Sequence, residues 1–70
     1  MIIKLRQLLP RAGSRIVSVN SDSISYYYQS EFRIGWEKFP ATAMFLIGNS
    51  KPIYTMQLSD EIERKIKGIT

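Results

Sequence analysis

Three consecutive tyrosines, Tyr26-Tyr27-Tyr28, and four cations ahead of them, Lys4, Arg6, Arg11 and Arg15, are the residues best equipped for chemistry in this sequence. The chemistry they suit is recognition. A tyrosine ring stacks on a base or fills a partner's pocket while its hydroxyl still finds a hydrogen bond. Arginine grips phosphate or carboxylate through paired N–H donors. Residues 1–20 hold the four cations and no acid, so this segment alone carries +4, the net charge of the whole chain. It attracts polyanions, nucleic acid among them, or an acidic protein surface. If nucleic acid is the ligand, Lys4, Arg6, Arg11 and Arg15 are the expected phosphate contacts. The plainer reading makes them the solvated face of an amphipathic segment.

The tyrosines cannot all face one way if they lie on a strand, because successive side chains alternate faces. Ile24 is in phase with Tyr26 and Tyr28, so those two are expected inward and Tyr27 outward, with Arg33 as a neighbour on the next strand. Trp36, ahead of Glu37-Lys38-Phe39-Pro40, offers an aromatic and proline shelf of the kind that takes extended peptides. Such a tryptophan also serves to close a core at a strand end. Tyr27, Arg33 and Trp36 are therefore the candidate partner-binding residues.

Catalysis has little to work with. There is no histidine, the commonest general acid–base group, and no cysteine nucleophile. Among the acids, Glu31 and Glu37 flank a strand, too far apart to act on one bond. Asp60, Glu61 and Glu63 crowd a helix start, where capping and the helix dipole account for them. The serines have no Ser-x-x-Lys partner, and the four glycines form no phosphate-cradling motif. Without Cys or His a structural zinc site is not expected. The expectation is no catalytic residue, no metal and no cofactor.

The elements that must position these residues follow from periodicity. Ile2, Leu5, Leu8 and Leu9 recur at helical spacing up to Pro10, which predicts a short amphipathic N-terminal helix, with a strand as the alternative. A turn around Gly13 leads to a strand at 15–20 with Val17 and Val19 on one face. Asn20-Ser-Asp-Ser is a turn cluster, and 24–29 is the next strand. Phe32, Ile34 and Trp36 alternate with Arg33, Gly35 and Glu37 in a further strand, where Gly35 marks a bend and Pro40 a break. Thr42 to Ile47 is nearly all apolar and reads as a strand buried on both faces, with a short helix as the alternative, since Ala and Met favour one. A last strand covers 53–58. A C-terminal helix then carries Ile62, Ile66 and Ile69 on one side, with Asp60 and Glu63 as a capping box.

The fold class expected is α+β, one small domain over 1–70. It has a strongly curled antiparallel sheet of about five strands, of SH3 or OB barrel type or left open, between a short N-terminal and a short C-terminal helix. The expected core is Val17, Val19, Ile24, Tyr26, Phe32, Ile34, Trp36, Phe45, Ile47, Ile53 and Ile62. No apolar run approaches the about 20 residues of a membrane-spanning helix, and no targeting segment is evident, so the cytoplasm is the expected compartment and no membrane partner is expected. The function expected is that of a non-enzymatic regulator or adaptor docking on a larger protein. The alternative is a nucleic-acid-binding module using the basic N-terminal segment. A small core also favours association, so a homodimer is a further expectation.

Overall fold

Residues 2–9 fit two periods at once, and their pairing decides between them. In a computed structural model, which describes residues 1–11 and 13–68, they form a strand, β1 (Ile2–Leu9). It runs antiparallel to β2 (Gly13–Asn20) in an unbroken register from Ile2↔Asn20 to Leu9↔Gly13. Ile3 and Leu5 turn inward and are buried, while Ile2, Lys4 and Arg6 face out. The expected N-terminal helix is thus corrected to a strand. Two β-branched residues and the alternation Ile3, Lys4, Leu5, Arg6 suit a pleated surface, and a run this short reads equally well as helix until a partner strand is present.

A 3-10 turn, Ser21–Ser23, follows, in which the Asn20 side-chain oxygen accepts from the Asp22 N–H at 3.0 Å. The turn ties two strand ends together: Ser21 N–H donates to the Met1 carbonyl and Ile47 N–H to the Ser23 carbonyl. The chain then forms the long hairpin of β3 (Ile24–Ile34) and β4 (Glu37–Leu46). The two strands expected at 24–29 and 32–37 are therefore one. Gly35, with φ 60°, sits in the two-residue connection and not in a strand. A positive φ at the first of two loop residues alone is the type II′ pattern that favours glycine there. Pro40, expected as a break, lies inside β4. It is tolerated because β5 (Ile53–Thr55) pairs only with Thr42, Ala43 and Met44, leaving one side of β4 free of a partner at Pro40.

The five strands make one antiparallel sheet in the order β2-β1-β5-β4-β3, with β2 and β3 as unpaired edges. The expected barrel is corrected as well, since the sheet is neither closed nor strongly curled. The strand number stays at five, because β1 replaces the strand lost when two expected ones merge into β3, but no ladder joins β2 to β3 and the sheet stays open. Helix α1 (Ser59–Lys67) alone covers one face. Ile62 is fully buried against Ile3, Leu5, Val19 and Met44, with Val17, Ile24, Tyr27, Leu46, Ile53 and Ile66 packed around them. Ile69 lies outside the described residues. Of the expected core, Tyr26, Ile34, Trp36 and Ile47 are exposed instead.

A row of polar residues crosses all five strands on the helix side. Arg15 stands opposite Gln7, Gln7 opposite Thr55, Thr55 opposite Thr42, and Thr42 opposite Gln29. Thr42 and Thr55 are fully buried, and both hydroxyls donate to the carbonyl of Gln57, at 2.8 and 3.0 Å. The Gln57 side chain accepts from Arg6 N–H at 2.9 Å, and Gln29 accepts from Ser59 N–H at 3.3 Å. The helix therefore starts without the expected capping box: Leu58 is its N-cap and makes no side-chain cap bond. Gln29, reaching over from β3, accepts from the first of the helix N–H groups that have no partner within the helix. At the other end Gly68 (φ 75°) closes the helix by donating to the Arg64 and Lys65 carbonyls. Lys67 donates to Glu63 at 2.9 Å, and this hydrogen bond and charge hold the lysine above its ordinary pKa. Both ends of that pair are solvated, so it adds little to stability.

The two threonines share one acceptor, so their losses should not add. Thr42→Val or Thr55→Val alone leaves the Gln57 carbonyl one donor and is expected to cost about 1 kcal/mol. The double variant leaves it none and is expected to cost more than the sum, by at least about 0.5 kcal/mol, in urea unfolding. Additive losses would show that the carbonyl finds water once either hydroxyl is gone.

Candidate aromatic surface

Which face each tyrosine occupies is set by an irregularity at the start of β3. The register shifts between Ile24 and Tyr26: Ile24 opposes Leu46 and Tyr26 opposes Phe45, so Ser25 is the extra residue of a β-bulge. One extra residue reverses the facing of everything on its far side. Ile24 therefore joins Leu46 under the helix, and Tyr26 and Tyr28 emerge on the face α1 leaves bare. Tyr27, opposite Met44, packs against the core. The expected orientation of the three tyrosines is reversed.

On the bare face Tyr26, Tyr28 and Phe45 form a layer of nearly parallel rings. Tyr26 and Phe45 are 4.5 Å apart between centroids at 17°. Tyr28 lies 6.2 Å from Phe45 and 6.4 Å from Tyr26, at 26° and 15°. Tyr28 stands opposite Ala43, which is fully covered, as is Ala41 on the same face. Small residues beneath let the rings lie down instead of standing in water. Tyr26 nonetheless keeps 54% of its surface exposed and Tyr28 49%. Farther along, Phe32 packs on Tyr54 at 5.3 Å and is buried. The layer occupies the edge strand β3 and its neighbour, so its outer margin is open.

The other sequence candidates do not converge on it. Arg33 is exposed on the helix side, opposite Lys38, about 20 Å of strand from Tyr27. Trp36 stands fully exposed at the β3–β4 hairpin tip. The four cations are dispersed. Lys4 and Arg6 face the bare side, and Arg6 donates to the Ser14 hydroxyl at 3.1 Å. Arg11 is in the β1–β2 turn. Arg15 belongs to the polar row on the opposite face and donates to Gln7 at 3.1 Å. The four thus divide between two faces and a turn. Sequence reasoning missed Tyr26, Tyr28 and Phe45 as surface residues. The available signal was three tyrosines in succession, which obliges one face or the other to expose aromatics.

Among the described residues no three acidic side chains gather where a metal ion would be held, and no helix is long and apolar enough to cross a membrane. Compared with known proteins, the chain matches no family model, no curated protein and no solved structure.

The bulge makes the tyrosines separable by stability. Tyr27→Ala empties a place under α1 and is expected to cost about 2–3 kcal/mol, somewhat less than a fully buried aromatic. Tyr26→Ser is expected to cost about 1 kcal/mol or less, the loss of part of one stacked pair. Thermal melts of the two variants check this order, and the reverse order would place the bulge elsewhere.

Proposed function

We propose that this chain is a non-catalytic binding module, a small regulator or adaptor, that docks on a larger protein through Tyr26, Tyr28 and Phe45. The observation that carries the reading is the half-exposed ring layer on an unpaired edge strand. Aromatic side chains that stay accessible while held rigid by their neighbours lose little entropy on binding, and they dominate the energetics of protein interfaces. The fully covered Ala41 and Ala43 behind them make the layer firm. The free edge of β3 can add main-chain hydrogen bonds to a partner strand. Protein is favoured over nucleic acid because the basic residues divide between two faces and a turn, and a phosphate-tracking groove needs them in line with the rings.

The test is recovery of bound partners from an extract of the source cells, treated with nuclease, by wild type and by the double variant Tyr26→Ser/Tyr28→Ser. A protein is expected to copurify with wild type and to be lost from the double variant by at least about 30-fold, the scale of one interface hot spot. Equal recovery by both would move the docking surface elsewhere. Recovery that disappears on nuclease treatment, with a binding constant falling steeply as salt rises, would replace the protein reading by the nucleic-acid one.

A further inference from the structure

The opposite end of the bare face carries a second apolar feature, distinct from the ring layer. Leu8, Ile34, Phe39, Pro40, Met56 and Leu58 line a groove of about 510 Å³, completed by Gly13 and Ser14. No lining residue is charged. Ile34, Phe39, Met56 and Leu58 are each between 38% and 52% exposed. The groove lies toward the Ile34 end of β3, from about 10 Å along the strand from Tyr28 at Pro40 to about 20 Å at Ile34. Beside it projects Trp36, two residues beyond Ile34, which is fully exposed and is the chain's only tryptophan.

We propose that the groove is filled by Trp36 of a second copy of this chain, in a two-fold dimer. An uncharged groove calls for a large apolar knob, and among the described residues Trp36 is the one large apolar side chain that the fold leaves wholly in water. The type II′ turn at Gly35 holds it out from the tip. Knob and groove adjoin one another, so a two-fold axis passing between them satisfies both at once and closes the assembly. A knob and groove on opposite sides would instead build an open chain. Charge opposes the approach only at one margin. Glu31, Arg33, Glu37 and Lys38 beside the tip cancel. Arg6, which donates to the groove residue Ser14, and Arg11 and Arg15 beside Gly13 and Ser14 leave that margin positive, so self-association should strengthen as salt screens them. The area is adequate as well. Two tryptophans remove about 300–500 Å² from water, and the half-exposed groove residues of both copies extend this toward the roughly 1,200 Å² of a small specific interface.

Trp36 is also the reporter. Its emission is expected to shift to the blue as wild-type protein is concentrated from micromolar toward about 1 mM. The shift should track a doubling of mass in sedimentation equilibrium. Trp36→Ala touches nothing in the monomer and should fold as wild type does. It is expected to weaken self-association about 1,000-fold, since each dimer loses two anchors of about 30-fold each. Met56→Lys keeps Trp36 but charges the groove, and it should stay monomeric with red emission at every concentration. Monomer throughout, a dimer that survives Trp36→Ala or Met56→Lys, or mass growing without limit would each overturn the proposal. The partner recovery described above reads the ring layer and not this end, so either reading can fail alone.

Discussion

The carbonyl oxygen of Gln57 is where the fold is fastened. Two buried hydroxyls, from Thr42 on β4 and Thr55 on β5, donate to it, and the side chain of the same glutamine accepts from β1. Three neighbouring strands are thereby fixed to the segment from which α1 departs. A buried carbonyl without a partner costs about 1–3 kcal/mol, so the chain has one low-energy exit from β5. That exit decides which side of the sheet α1 covers. All else about the surface follows: Ile62 seats on Ile3, Leu5 and Met44, and the opposite face stays bare. The row Arg15, Gln7, Thr55, Thr42 and Gln29 also sets register, since a slip of one residue would carry its buried hydroxyls to the wrong side.

Much of this architecture was legible from alternation. Val17 and Val19 on one face, a turn at Asn20 and a terminal helix facing inward through Ile62 are as read, while the apolar strand expected at 42–47 is buried on both faces only up to Met44, with Ile47 exposed and outside β4. What was not legible is instructive in two places. Residues 2–9 carry apolar side chains that satisfy both a helical and an alternating period. The partner that selects the strand is β2, which no local window includes. Gln29 as the acceptor for the helix start is equally remote, thirty residues from Ser59. A nearby Asp60 gave a local explanation for the helix start that the fold does not use.

The surface failed to be legible for a single reason. Period-two reading assumes an unbroken ladder, and the ladder breaks at Ser25. With Ile24 in phase with Tyr26 and Tyr28, the sequence assigns both tyrosines to the core and leaves Tyr27 outside. The bulge sends Ile24 inward and the pair outward. Nothing in Ile24-Ser-Tyr announces a bulge, because no glycine marks it. The cations were legible as a run but not as a placement. Four cations within twenty residues form a patch only if the segment keeps one face, and as a hairpin it distributes them over two faces and a turn.

A five-stranded sheet with one helix has more apolar side chains than one face can hold. The surplus appears on the bare face in two chemically different forms at the two ends of β3. Near the bulge it is a layer of rings that lie over alanines, with hydroxyls available and an open strand edge beside them. Near the hairpin tip it is a charge-free groove with a single indole next to it. The first arrangement is rigid, flat and partly polar, which suits docking on a surface of different composition. The second pairs a knob with an adjoining hollow, which suits an identical copy. The near margin of the groove, at Pro40 and Phe39 opposite Glu31 and Phe32, lies about 10–13 Å of strand from Tyr28, so the two features share no residue. In the proposed assembly each copy of a dimer closed at the tips would bring its own ring layer. Self-association would then raise the strength of docking on any partner with repeated sites by local concentration alone, without a new contact.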